Sequence, residues 1–573
     1  MGLPAALKAH SSHDYELAAK HYKRALDQGD HSAVLFQNYG SLLRSHGKND
    51  QALLIYEQGL SIHPNHEGIK LNLANLLQIP SPWRSFNLHL SILKDHWDNE
   101  LRSKHFLALV QILESQGCNL WAYQICKVAF DSVSVSASLL VMFYKLATST
   151  EYNLLSEIER NDLTDLIENK LDDLSTLEKA EFYFTLSWVH VTRKEFAESR
   201  MLLDKARHSL LNSKLQSVED CEKAQNLHNQ NCWNMACTLL SFQQFKDGWS
   251  YFDYGLRTKA PGSQKWQRAL PKPFTYDQIP LWRGENLGDK SLLLLEEQAI
   301  GDVMQFMSLM PTLLEEVRHI GILLCKRLEP IYRRSFKTYI LAKRVSIWSF
   351  DDVLHSNLEP ALYDYQSPIG SICRYRFTDI SRFGRHSPIL IADQNEAQKF
   401  RNKYLGINKK PQYLIGISWR GGGNSDRMKQ KSIEITKFAE LMSLAGVRFV
   451  SLQYGESASI VNKWRSEGLD VIHDSSVDSL KNMDRWLSQV AACDAVISVA
   501  NTTIHGAGGL NIPTLCLLSL QSDWRWLKSD DVKRSYWYPS VGIARESKSL
   551  GWGPAFEFVS AWINQVFPNL QDL

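Results

Sequence analysis

Apolar positions follow two rhythms along the chain, and the change between them comes near residue 260. Before it, apolar residues recur at three- and four-residue spacing, as they do in helices with one buried face. Laying Ala18–Leu43 over the segment 34 residues further on, Ala52–Leu77, matches Ala18 with Ala52, Tyr22 with Tyr56, Leu35 with Ile69 and Leu43 with Leu77. Small residues also fall in register, Ala25 on Gly59 and Gly40 on Ala74, which suits helices that cross closely. The same template returns at Asn234, Ala236, Leu239, Gly248, Phe252, Gly255 and Leu256, and more faintly over Glu178–Ala206. Between about 85 and 215 helix follows helix without a clean period. Repeats of this length stack neighbour on neighbour and leave a concave face that commonly binds a partner.

Pro261, Pro271, Pro273 and Pro280, with Gly262, punctuate 261–280, which reads as a linker. Beyond it, short apolar runs predict strands at Ser291–Leu295, Ile320–Leu324, Ile389–Ala392, Leu414–Ser418, Phe449–Gln453, Ala495–Val499 and Thr514–Leu518. Helical patterns separate them at Val303–Leu314, Ile435–Leu444, Arg485–Ala492 and Ile504–Gly509. Fully apolar strands alternating with helices require parallel sheets covered on both faces. The stretch is too long for one ordinary sheet. The expected architecture is therefore α plus α/β: a helical superhelix over 1–260, a linker over 261–280, and two Rossmann-like lobes over 281–405 and 406–573.

Composition narrows the function classes. The 573 residues carry 64 basic and 62 acidic side chains, a net charge of +2. Such a balance offers a polyanion no field, so nucleic acid is not an expected partner. Nine cysteines are present, and the closest group, Cys221, Cys232 and Cys237, matches no zinc or disulfide spacing. They read as free thiols in a reducing compartment. Met1–His10 lacks the plan of a secretory signal, and no apolar run reaches the roughly 18 residues a membrane helix needs. A cytoplasmic location is expected. The 17 Trp and 21 Tyr suit sugar or base stacking, although most will be core.

Three loops, each directly after a predicted strand, could carry chemistry. In Glu296–Asp302, Gly301 permits a tight turn and Asp302 stands at a helix start. Asp302 reads either as a helix cap or as a general base for an acceptor hydroxyl. In the second loop, Ser418-Trp419-Arg420-Gly421-Gly422-Gly423 lets backbone N–H groups approach an anion, with Arg427, Lys429, Lys431 and Ser432 following. It reads as a diphosphate cradle or as a solvated basic loop. The glycines lack dinucleotide-fingerprint spacing. The third loop, from Ser498 to Gly509, opens with Asn501, Thr502 and Thr503 at a helix start, donors suited to phosphate oxygens. His505, one turn inside, reads as structural when taken alone.

The helical repeats resemble the tetratricopeptide family over roughly the first 260 residues. The three loops together resemble a second family. Glu-Gln-Ala-Ile-Gly-Asp at 297–302, Trp-Arg-Gly at 419–421, Leu-Gln-Tyr-Gly at 452–455 and Asn-Thr-Thr-Ile-His at 501–505 look like signatures of heptosyltransferase-like enzymes of the two-lobed GT-B architecture. More closely, the stretch from Leu281 resembles the catalytic half of bacterial tetratricopeptide-repeat glycosyltransferases, with Trp524-Arg525-Trp526 and Trp537-Tyr538-Pro539 fitting that pattern.

The resemblance implies sugar transfer from a nucleotide-sugar to an acceptor hydroxyl, with inversion and without a metal or other cofactor. It implies Asp302 as base, with Gln298 and Gly301 in the acceptor loop. Lys431 and Ser432 would neutralise the leaving diphosphate. Gln453, Tyr454 and Glu456 would lie beside the nucleoside, and Thr502, Thr503 and His505 would form the donor-phosphate turn. Trp419 and Arg420 complete the expected donor set, and Trp419, Tyr454 or Trp524 could stack on the base. The repeat-containing group includes protein-modifying enzymes, some acting on flagellins, so a polypeptide on the concave face is the expected acceptor. Assembly through the repeats is a further use of that surface. Heptosyltransferases usually carry Asp where this chain has Asn501, so two other readings stay open: a non-catalytic scaffold with a nucleotide-binding half, and a transferase acting on a glycan or lipid-linked sugar.

Overall fold

The computed structural model describes all residues except 1, 13, 96–98, 133–135, 149–154, 194, 212–217, 259–272, 407–412, 423–431, 434, 443–445, 456, 521, 530, 548 and 569–573. It divides into two compact units, Met1–Ala224 and Gln225–Leu573.

The first unit is helical. The matched pairs of the 34-residue register are its buried face: Ala18, Tyr22, Leu35, Ala52, Tyr56 and Ile69 are all fully buried. Small residues stand where helices touch. A β-carbon on Gly40, in the helix Ala33–Ser45, would lie 2.3 Å from the Tyr56 ring of Asn49–Ile62. One on Gly59 would lie 2.7 Å from Phe36. The aperiodic stretch is helical as well, from Pro82–Asp95 through Phe196–Leu211. Serine-led capping boxes open the helices Glu157–Glu168 and Thr176–Thr192. No described helix is long and apolar enough to cross a membrane.

The last copy of the template falls in the second unit, not the first. The helix Val218–Ser241 crosses the division, and Phe245–Phe252 follows it. Small residues again permit the crossing, Gly248 against Leu240 and Gly255 against Trp233. Rings on this pair join the core of the second unit, as Trp249 and Phe252 meet Trp524 edge-on at 5.5 and 5.4 Å between centroids.

Two wholly parallel sheets form the rest of the second unit. The first holds β1 (Ser291–Leu295), β2 (His319–Leu324), β3 (Val345–Ser349) and β4 (Tyr365–Pro368), in the order β3-β2-β1-β4. The second holds β5 (Tyr413–Ser418), β6 (Val447–Ser451), β7 (Val471–Ile472), β8 (Ala495–Val499), β9 (Thr514–Leu518) and β10 (Val541–Arg545). Its order, β10-β9-β8-β5-β6-β7, is that of a dinucleotide-binding sheet, with the chain reversing direction across the sheet between β5 and β8. The first sheet reverses between β1 and β4. The chain thus combines tetratricopeptide-like helices with two Rossmann-like lobes.

The strands β3, β4, β7 and β10 add to the expected set, and two expected segments differ. Ile389–Ala392 is not a strand: the N–H groups of Ile389 and Leu390 both donate to the Gly509 carbonyl at 2.8 Å, so the apolar run is an extended crossing between lobes. The helix after it, Gln394–Leu405, precedes residue 406 yet packs on the second lobe, where Tyr404 accepts from Gln489 Nε2 at 2.9 Å. Within the 261–280 linker, residues 259–272 lie outside the described residues. Its end is anchored, since Gln366 Nε2 of β4 donates to the carbonyls of Thr275 and Ile279 at 3.2 and 2.7 Å.

Candidate functional site

The three candidate loops leave the carboxyl ends of β1, β5 and β8, the strands bordering the two reversals. Ligands of open α/β sheets bind at that position because neighbouring loops diverge there and leave a crevice.

The loop after β1 is held by its two glutamates. Glu296 accepts the Cys325 N–H at 2.7 Å, and burial raises its pKa. Glu297, almost fully buried, accepts the Gly370 N–H at 2.5 Å, which fastens this loop to the one after β4. Gln298 takes a left-handed backbone with φ +64°, uncommon for a residue with a side chain. The helix Ile300–Met307 then begins. Asp302 stands at its third position, where Oδ2 accepts the Ala299 N–H at 3.1 Å. Its Oδ1 is paired with Arg525, from the turn Trp524–Trp526 after β9. The cap position is Ala299, so Asp302 is not itself the cap; one carboxylate oxygen secures the Ala299 N–H and the other pairs with the second lobe. Gly301 meets that lobe too, since a β-carbon there would lie 3.2 Å from His505 Cδ2 and 3.3 Å from Thr502 Oγ1.

Two amides stitch the loop after β5 to its neighbours, Gln453 from the loop after β6 and Asn501 from the loop after β8. Gln453 Oε1 accepts from Ser418 Oγ (3.0 Å), Trp419 N (3.1 Å) and Arg420 N (2.8 Å). Asn501 caps the helix Thr502–Gly509 by accepting the Thr503 N–H at 2.8 Å, and its Nδ2 donates to Ser418 Oγ at 2.7 Å and to the Arg420 carbonyl at 3.1 Å. Both protons of that amide are used across the loop boundary. An Asp here would set an oxygen against the Arg420 carbonyl, so Asn at 501 has a structural reason.

The other candidates take distinct places. Arg420 is half-buried and donates from Nη2 to the Tyr454 carbonyl at 3.3 Å. Tyr454 lies next to Gly422, and burial raises its pKa. Ser432 is kept near the end of β5 because the following Ile433 N–H donates to the Trp419 carbonyl at 3.0 Å. Lys431 and Glu456, with Arg427 and Lys429, lie outside the described residues. His505 is buried. The Tyr538 hydroxyl donates to the Met304 carbonyl at 3.4 Å, so its oxygen accepts from His505 Nδ1 at 3.3 Å. His505 is thus linked through Tyr538 to Met304 of the first lobe. Of the three rings considered for base stacking, two are core. Trp419 is 3% exposed and edge-on to Trp464, and Trp524 is 3% exposed among Trp249, Phe252 and Phe306. Tyr454 is the accessible one.

Sequence spacing alone does not mark Arg525 as a site residue: nothing in Trp-Arg-Trp at 524–526 tells that a residue 223 positions after Asp302 meets it.

No protein-family model matches the chain. Protein FlbA of Caulobacter vibrioides is 26% identical over 277 residues, 46% of this chain and 45% of that protein. The chain therefore spans less than half the length of this curated relative. Among solved structures, the tetratricopeptide-repeat protein YrrB, described as having an unusual peptide-binding site, is 14% identical. That match covers 34% of this chain and 95% of YrrB with a TM-score of 0.27. ADP-heptose lipopolysaccharide heptosyltransferase II of E. coli is 15% identical, covering 49% of this chain and 99% of that one with a TM-score of 0.34.

Proposed function

We propose that the second unit transfers a glycosyl group from a nucleotide-sugar to an acceptor hydroxyl, and that the repeats present a polypeptide carrying that hydroxyl. The observation that carries the reading is the meeting of three loops at two sheet reversals, with the Asp302 carboxylate of one lobe paired with Arg525 of the other and the neighbouring Gly301 packed against Thr502 at a polar helix start. In this reaction Asp302 takes the acceptor proton while the acceptor oxygen attacks the anomeric carbon. The bond from that carbon to the diphosphate breaks on the opposite face, giving inversion. The departing charge is taken up by Arg420, Ser432, Lys431 and the N–H groups at the start of Thr502–Gly509. Tyr454 is the ring available to the base. Asn501 does not favour a dead site, because its amide is spent on holding the cradle.

The test is nucleotide release from UDP-, GDP-, ADP- and CMP-linked sugars by the full chain. Release from one donor that falls steeply, to a low but measurable rate, in Asp302→Asn supports the reading. No release from any of them, or an undiminished rate in Asp302→Asn, overturns it.

A further inference from the structure

Asp302 is fixed from two sides. Oδ2 is tied within its own lobe to the Ala299 N–H, and Oδ1 is tied to Arg525 of the other lobe. Both side chains are mostly buried, 16% and 15% exposed. Two anchors on the two oxygens define the plane of the carboxylate and leave the remaining lone pairs as its reactive edge. Arg525 is itself held on every side. Nη2 also donates to Gln298 Oε1 at 3.1 Å, Nη1 lies 3.2 Å from Asp523 Oδ2, and the guanidinium lies 4.4 Å over the Trp524 ring. Burial alone would weaken its charge, but Asp302 and Asp523 more than offset this and raise its pKa. The turn that carries it rests on the last helical pair, through Trp524 against Trp249 and Phe252 and through the Lys528 N–H, which donates to the Ser241 carbonyl at 2.8 Å.

The geometry points to Arg525 as the positioning residue that aligns Asp302 across the lobes, with the last helical pair as the floor beneath it. This rests on the glycosyl-transfer reading. A plain strut between lobes would have no reason to end on Asp302. Such a strut exists elsewhere: Arg334, in the helix Glu329–Ser335, is ion-paired with Asp484 in Met483–Ala491, at residues distinct from the three candidate loops. Arg334→Gln is therefore the control.

The experiment uses the full chain and the donor that the nucleotide-release panel selects. It compares wild type with Arg525→Gln, Arg525→Lys, Asp302→Asn, the double variant Asp302→Asn/Arg525→Gln, and Arg334→Gln. Misaligning a catalytic group by an ångström costs on the order of 100-fold, so kcat of Arg525→Gln should fall by about that factor with donor KM little changed. Arg525→Lys keeps the charge but not the fork, and should recover part of the loss. In the Asp302→Asn background, Arg525→Gln should remove nothing further, because a residue acting through another has no effect once that one is gone. Arg334→Gln should keep kcat near wild type.

Equal losses in Arg525→Gln and Arg334→Gln, additivity with Asp302→Asn, or a faster Arg525→Gln would each overturn the assignment while leaving glycosyl transfer standing. Should Arg525→Gln not fold, Arg525→Lys decides, with an unchanged kcat refuting the role. Absence of release by wild type removes the underlying reading itself, and this assignment with it.

Discussion

Replacing Asn501 by Asp probes the cradle at the residue that joins the loops after β5 and β8. The new side chain keeps the oxygen that caps the Thr503 N–H at 2.8 Å. It loses the amide group that donates to Ser418 Oγ at 2.7 Å and to the Arg420 carbonyl at 3.1 Å. Ser418 can adapt by turning its own proton from Gln453 to the carboxylate. The Arg420 carbonyl cannot, and is left facing a charged oxygen. A part-buried acceptor deprived of its donor costs about 1–3 kcal/mol. A carboxylate at the start of Thr502–Gly509 returns about 0.3–1 kcal/mol through the helix dipole. The difference is a net loss of roughly 1–2 kcal/mol. Asn501→Ala loses the cap as well as both cross-loop bonds, for roughly 2–4 kcal/mol. Scanning calorimetry of the full chain should therefore show the second unit melting about 1–3 °C lower in the Asp variant and lower again in the Ala variant. If the Asp variant melts at or above wild type, the amide does not donate to the Arg420 carbonyl and the account of the cradle is wrong.

Asp474 is nearly buried and accepts from Lys403, Tyr404 and Ser476, each at 2.7 Å. Burial alone would raise its pKa, but these bonds outweigh it and hold the carboxyl well below its usual range. Because the folded pKa is depressed, the stabilisation is present above the ordinary carboxylate pKa of about 4 and is lost as the pH falls below it. Resistance to urea between pH 5 and pH 2, a window of about three units around that pKa, should fall steeply in wild type and less in Asp474→Asn. His89 stands 3.1 Å from His105, both buried between adjacent helices, and burial followed by the charge of His105 lowers its pKa to about 4. Its neutral form is favoured in the fold, so the first unit should lose stability as the pH drops from about 6.5 toward about 4, and His89→Gln should flatten that loss. A chain of residues 225–573 should fold, whereas one starting at 261 uncovers Trp524 by removing Trp249 and Phe252. Burial of one such ring is worth about 3–5 kcal/mol, so circular dichroism should show a much lower melting point for the shorter chain.

Repeats are legible because the same packing contact recurs: Gly40 beneath Tyr56 and Gly59 beneath Phe36 are local consequences of a 34-residue register. The strands β1, β8 and β9 are legible to the residue, since a strand buried on both faces is a continuous apolar run. β3 and β10 escape that reading because each carries half-buried residues, such as Ser346 and Gly542, that break the run. The same logic misleads at Ile389–Ala392, where a run is apolar because it crosses between lobes and not because it lies in a sheet.

Local spacing places Asp302, Arg420 and Asn501 after their strands, since a loop that follows a strand is a local event. What no local pattern contains is which loops meet. Arg525 on Asp302 and Asn501 on Arg420 are contacts between residues 223 and 81 positions apart. Asn501 reaches Arg420 because the second sheet reverses its strand order between β5 and β8, and Arg525 reaches Asp302 across the two lobes, so both are properties of topology. The residue types follow from those contacts. A guanidinium fits position 525 because it can serve Asp302, Asp523 and Gln298 at once in one plane, where an ammonium offers no fork. An amide fits position 501 because it must accept at the helix start and donate to the neighbouring loop. Asn at 501 is thus accounted for by the bonds it makes, accepting from Thr503 N–H and donating to Ser418 Oγ and the Arg420 carbonyl.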